Sequence, residues 1–277
     1  MRRMWAVCRR EFASYFVTPM GYVALCTFAA ISGIAFTANF INYCRVSQSP
    51  RDHGYTSGIP DFEETMLSTY LVLCGQLILF IGPLITMRLL AEERNRGTME
   101  LLLTHPLRDR DIVFGKYLAA LGMLVVMMGV LAVHLGLVAA YTDVEWAVLA
   151  FGLLTVFLMG AAFLSLGLFV SAMTSNQLTA GLATFGLWFV SYVLGTMGKY
   201  LPDTASVPAD WPAAATRLAE WFYLVFRRVV LELPLDAHAE EMAQGVVQPQ
   251  DIAYYVLFAV FFLFLTFRAL ESRQWRA

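Results

Sequence analysis

Residues 92–116 read EERNRGTMELLLTHPLRDRDIVFGK, and positions 92 to 111 hold nine charged side chains between long uncharged runs. At roughly 2.5–3.5 kcal/mol for each charge at a bilayer centre, burying this stretch in lipid would cost on the order of 25 kcal/mol. The stretch must lie in water, and the uncharged runs around it decide the fold. They cover 12–44, 65–87, 117–142, 146–198 and 252–267. A crossing needs about 20 apolar residues, so the run 146–198 is long enough for two, joined by the polar turn Thr174-Ser175-Asn176-Gln177. The last run is short. Its ends must reach Pro249 and Leu270, with Arg268 snorkelling to the headgroups.

The expectation is an all-α membrane protein, one transmembrane domain over 1–277, with spans at 20–43, 66–90, 112–141, 146–172, 178–198 and 250–270. Composition agrees: 59% of residues are apolar and 14% charged, against about 45–50% and 25% in soluble domains. A net charge of -2 offers no whole-molecule field for nucleic acid. Cys8, Cys26, Cys44 and Cys74 are widely spaced, with no CxxC pair and no histidine at ligand spacing, and read as apolar fillers. The opening MRRMWAVCRREF has a signal-like start, but the uncharged stretch from Phe12 to Cys44 is too long for an h-region. It is expected to stay as an anchor.

Orientation follows the basic residues. With the N-terminus inside, Arg2, Arg3, Arg9 and Arg10, then Arg88, Arg94, Arg96, Arg108, Arg110 and Lys116, then Arg268, Arg273 and Arg276 share one side, thirteen of nineteen Lys and Arg. Positive-inside places both termini and 91–111 in the cytoplasm. Two segments read as amphipathic rather than spanning. In 1–18, Trp5, Cys8, Phe12, Tyr15 and Phe16 share a face opposite Arg3 and Arg10, which suits an elbow helix in the inner interface, broken at Pro19. In the external segment 199–249, Leu218, Trp221, Phe222, Val225 and Val229 form a stripe opposite Glu220 and Arg227, suited to the outer interface. The loop 45–64, with Pro50, Gly54, Gly58 and Pro60, reads as irregular and external.

Within the charged segment, Gly97 interrupts a helix, Thr98 can cap a short new one with Glu100 in its first turn, and His105-Pro106 ends it. Asp109 can then cap the third span. Met99, Leu102 and Leu103 fall at i, i+3 and i+4, an apolar knob ringed by Glu92, Glu93, Arg94, Arg96 and Glu100. Such a knob has the composition of a docking surface. A solvated loop tucked against the protein's own spans fits the residues equally well.

Catalytic arrangements are thin. No GxxxxGK[ST] precedes a helix, and no soluble stretch could hold a nucleotide-binding sheet. His134 lies in the third span and reads as a neutral histidine bonded to a neighbouring helix carbonyl. Lys199 sits at the outer end of the fifth. Asn39, Asn42, Gln76, Thr86 and Gln177 read mostly as bridges between helices, of which some could line a path, and Gly160, Gly167, Gly181, Gly186 and Gly195 as close-packing positions. No residue is assigned a catalytic, cofactor-binding or metal role. The residues alone leave room for a secondary transporter or channel, which would need functional charges inside the spans, or a membrane enzyme, which would need ligands or acid/base groups clustered at one depth.

The run E-E-R-x-x-G-T-x-E-x-L-L-x-x-P followed by G-K, carried by Glu92, Glu93, Arg94, Gly97, Thr98, Glu100, Leu102, Leu103, Pro106, Gly115 and Lys116, resembles the cytoplasmic segment of ABC-2 type transporter permeases. The opening REFxSYFxTPxGY at Arg10 to Tyr22, the turn LGLFVSAMTSNQ at Leu166 to Gln177 and the close from Gly245 to Trp275 resemble the branch of gliding-motility and nitrous-oxide-reductase accessory permeases. The resemblance implies a permease, not itself an enzyme, in a bacterial inner membrane, pairing with a second permease. It would seat a coupling helix at about 98–105 in a cytoplasmic ATP-binding cassette subunit, which would hold the ATP and magnesium. The implied docking residues are Glu92, Glu93, Arg94, Arg96, Gly97, Thr98, Met99, Glu100, Leu102 and Leu103. Export, or transmission of movement to an outside partner, is the implied work.

Overall fold

The computed structural model describes residues 2–49, 52, 60–95, 97, 108–204, 211–243 and 248–274. Among them the regular elements are all helical. They are α1 (Arg2–Val17), α2 (Pro19–Gln48), α3 (Thr69–Thr86, entered through a π-turn over Glu63–Ser68), α4 (Ala91–Asn95), α5 (Asp109–Tyr141), α6 (Trp146–Met173), α7 (Gln177–Gly198), α8 (Ala213–Glu232), α9 (Ala239–Ala243) and α10 (Pro249–Gln274). Six stretches are long and apolar enough to cross a membrane: Pro19–Gln48, Glu63–Asn95, Asp109–Tyr141, Trp146–Met173, Gln177–Gly198 and Pro249–Ser272. The chain is a multi-pass membrane protein.

Local chemistry sets the helix ends. Thr18 is extended and Pro19 opens α2, because proline lacks an N–H and its ring presets the first helical turn. The α6–α7 turn is closed by Asn176, whose side chain accepts from the Leu178 N–H at 2.9 Å. At the start of α5 the expected cap, Asp109, is instead the first helical residue. Asp111 does the capping, accepting from the Arg108 N–H at 3.4 Å, because a carboxylate at the third helical position can reach back to the cap amide.

α6 is the central post, with α3, α5, α7 and α10 packed around it; α2 lies against α3 and α5. Glycine permits the closest approaches. A Cβ on Gly160 would lie 2.9 Å from Leu124, and one on Gly167 would lie within 3 Å of Thr86. Gly181 and Gly195 sit similarly close to Met87 and Pro234, but a Cβ on Gly186 would meet nothing within 4 Å, so no close approach there requires glycine. Gln76 bridges, bonding Asp236 in the turn after α8, but two other polar residues correct the bridging expectation. Asn39 donates to Ala35 O and Thr86 to Gly82 O, both one turn back on their own helices, where the nearest carbonyl is already in reach. His134 meets a hydroxyl rather than a carbonyl: its Nδ1 is 2.7 Å from Tyr70 Oη, and its ring stacks on Phe36.

α7 packs on α3 and α6 and leaves an apolar groove between itself and α10. Beyond the far end of α7, α8 folds back so that Val230 touches Gly198, while Leu218, Trp221, Phe222, Val225 and Val229 stay exposed. The turn after α8 is tied to α10: His238 Nδ1 lies 2.8 Å from Asp251 Oδ1, Tyr254 Oη donates to Leu233 O, and Tyr255 Oη to Leu235 O.

Candidate functional site

The second span is broken near its end. Pro83 inside α3 has no N–H to donate, and four residues after α3, Met87–Leu90, run as a turn before α4 begins. Buried backbone groups freed by such a break need partners, and neighbouring elements supply them. Tyr15 of α1 donates its hydroxyl to Ile85 O at 3.1 Å. Ser171 of α6 accepts from the Leu90 and Ala91 N–H groups at 3.1 and 3.0 Å and donates to Met87 O at 3.3 Å.

α4 then ends in Gly97, whose φ of +67° favours glycine, with its N–H bonded to Arg94 O. The short helix is held at three points. Glu92 accepts from Arg88 Nε at 2.9 Å, and Arg88 Nη1 also donates to Thr18 at 2.8 Å. Arg94 donates to Thr174 O at the end of α6, 3.0 Å away. Glu93 Oε1 lies 3.1 Å from both Lys116 Nζ and Arg10 Nη2.

Glu93 belongs to a four-charge cluster joining α1, α4 and α5. Lys116, its side chain 1% exposed, also meets Glu11 Oε1 at 3.2 Å, and Arg10 meets the same oxygen at 2.8 Å. Two acids and two bases cancel, which a buried lysine requires. Burial by itself would raise the Glu11 carboxyl, but Lys116 and Arg10 together outweigh it and hold the group below its ordinary value. Gly115 explains how α1 comes so near. A Cβ there would sit 2.8 Å from the Val7 side chain, and one turn pair further on, Gly122 leaves the same opening for Phe12. The G-K pair is thus a contact site for α1 followed by its counter-charge.

Of the ten residues singled out from sequence, the structure turns Glu92, Glu93 and Arg94 toward the protein's own neighbours and puts Gly97 at the exposed turn. Arg96, Thr98, Met99, Glu100, Leu102 and Leu103 lie outside the described residues. Sequence reasoning missed Glu11, Tyr15 and Ser171, which belong to other elements. Lys116 carried a signal: a lysine one residue before a long uncharged run must find a partner or the interface. The arrangement anchors both flanks of 98–107. Gly97 follows a helix pinned to α1, α5 and α6, and Arg108 caps α5 itself.

Two grooves lie among the helices. One, of about 670 Å³, is polar, with Asn39 and Asn42 of α2, Ser68 and Thr69 at the start of α3, Glu64, and Lys199 just past α7. The other, about 180 Å³ and apolar, lies between α7 and α10. Compared with known families, residues 46–273 match the family model described as ABC-2 family transporter protein. No curated protein matches the chain.

Proposed function

We propose a role from one premise: this chain belongs to the ABC-2 family of transporter proteins, whose membrane subunits normally work with a separate ATP-binding cassette subunit. In our reading the pinned base of the bundle faces the cytoplasm, and 98–107 is the segment the ATP-binding subunit grips. The observation that carries it is the anchoring of Gly97 and Arg108. A docking helix can drive the spans only if its two roots cannot yield; the root at Gly97 follows a helix tied by Glu93 to buried Lys116 and by the Ser171 bonds, and Arg108 is the cap of α5, bonded to Asp111. The knob Met99, Leu102 and Leu103 supplies contact energy, and Arg96 and Glu100 set register. Glu92, Glu93 and Arg94 act one step back, positioning the segment.

The polar groove between α2 and the entry to α3 supports pairing with a second permease. Amide, hydroxyl and charged side chains beside lipid-facing helices are costly in hydrocarbon. A second copy laid over α2 and the entry to α3 would enclose them around water and form the outer mouth of an export path. Motion would follow as rigid repacking at that interface when the ATP-binding subunits close.

Co-purification with candidate ATP-binding cassette subunits tests this. The Leu102→Asp/Leu103→Asp double variant is expected to lose the partner while keeping wild-type thermal stability. Glu93→Arg, which sets a third cation beside Lys116 and Arg10, is expected to lose both. Retention of the partner by the double variant at wild-type level would refute docking at 98–107.

A further inference from the structure

The turn after α8 holds a histidine whose two ring nitrogens both face acceptors. His238 Nδ1 lies 2.8 Å from Asp251 Oδ1, and Nε2 lies 3.0 Å from Glu232 O. A neutral imidazole carries one N–H and one lone pair. With a single proton, one nitrogen would aim its lone pair at an oxygen, the carboxylate in one tautomer and the carbonyl in the other. Only a ring with a proton on each nitrogen donates both bonds to these two acceptors.

The surroundings suit that form. Glu232 is the last residue of α8, so its carbonyl is one the helix leaves without an internal partner, and the helix dipole favours a cation there. Asp251 is buried in the first turn of α10, where a carboxylate needs a counter-charge. The other charges nearby are already engaged. Arg228 pairs with Glu232 Oε1 at 3.0 Å, and Asp236 turns away to Gln76 and Lys199. Tyr254 lies against the ring with centroids 4.2 Å apart, and Tyr255 meets it edge-on at 6.3 Å. A polar cavity of about 470 Å³, lined by Arg228, Gln248 and Gln250 as well as the histidine, gives water and protons a way to the ring.

The two bonds join two elements. His238 reaches back to α8 through Glu232 and across to α10 through Asp251. Tyr254 and Tyr255 of α10 also hold this turn, donating to Leu233 O and Leu235 O. Phenols stay protonated across the range in which histidines change charge, so those bonds form a fixed pivot.

We propose that His238 is a proton-operated latch between α8 and the sixth span. The ring closes it with two protons and holds one side only with one. The sign follows from the geometry: the bonded form is the protonated one, so the latch holds in acid and loosens as pH rises. It rests on the geometry of a single chain, so neither partner docking nor pairing bears on it. With the pinned base in the cytoplasm, the latch answers to the pH outside.

The test uses the full chain in lipid nanodiscs, where both faces share one buffer. Native cysteines are replaced, and nitroxides at Glu220→Cys on α8 and Leu257→Cys on α10 report the distance by pulsed electron resonance. One narrow distance is expected at about pH 5.5, on the acid side of the histidine range. At about pH 8.5 the ratio of that population to a broader one should fall about tenfold or more, the worth of a charge-assisted bond. His238→Gln should show the broad population at both pH values. Asp251→Asn should stay narrow at both, because its amide donates to Nδ1 while a neutral ring keeps Nε2–H on Glu232 O. Equal distributions at the two pH values in the wild type would overturn the latch. A pH response that survives in Asp251→Asn would assign it to another group and overturn it as well.

Discussion

Lys116 is the residue on which the base of the bundle turns. It is fully buried at the start of the third span, and its two carboxylate partners come from α1 and α4, more than eighty residues apart in sequence. Removing one member of a buried, compensated set strands the others, at about 3–5 kcal/mol. Lys116→Met is therefore expected to destabilise the protein by that order, measured by denaturant titration in micelles. Arg10→Ala, at a largely exposed side chain, should stay within about 1 kcal/mol. Equal losses from the two variants would show that the cluster is not organised around Lys116. Glu11 adds a pH dependence. Its folded carboxyl ionises more readily than the ordinary value of 4.5, so its contribution is complete above that value and is lost as pH falls through the depressed one. A spin label at Arg3 should thus report unchanged α1 mobility from about pH 8 to about pH 5 and loosening only once pH falls below the ordinary carboxylate value. Loosening already near neutrality would point to a different group.

The break in the second span is the feature of the element scale. One serine hydroxyl on α6 meets two N–H groups and a carbonyl at the break. Ser171→Ala leaves the Leu90 and Ala91 amides buried without that acceptor, at about 1–3 kcal/mol. Hydrogen exchange at those two amides is expected to rise while exchange in the middle of α6 does not. Unchanged exchange at Leu90 and Ala91 would refute the capping role. Much of this scale was legible beforehand. The spans could be read because charge is so costly in lipid that uncharged runs delimit helices, and Pro19 and the Thr174–Gln177 turn mark ends by their own chemistry. The break was not legible, because it depends on Tyr15 and Ser171, which are remote in sequence and ordinary as residues. The inward turning of Glu92, Glu93 and Arg94 was hidden for the same reason. A charged run looks alike whether its partners are another subunit or the protein's own first helix, and only Gly115-Lys116 hinted at the second.

Among the described residues two grooves differ in character, a polar one between α2 and the entry to α3 and an apolar one between α7 and α10. If the polar groove is where a second copy sits, cysteines placed at Asn42 in each of two copies should cross-link across the pair, whereas cysteines at Phe261, on the lipid-facing side of α10, should not. The reverse pattern would move the pairing surface to α10. All of this depends on which side of the membrane the pinned base occupies. The most direct measurement is labelling of Thr98→Cys, in a chain whose native cysteines are replaced, with a membrane-impermeant maleimide. The account expects no reaction in intact cells, rapid reaction in inside-out vesicles, and protection there when the ATP-binding subunit is bound. Rapid reaction in intact cells would put the segment outside, and the coupling role with it would fall.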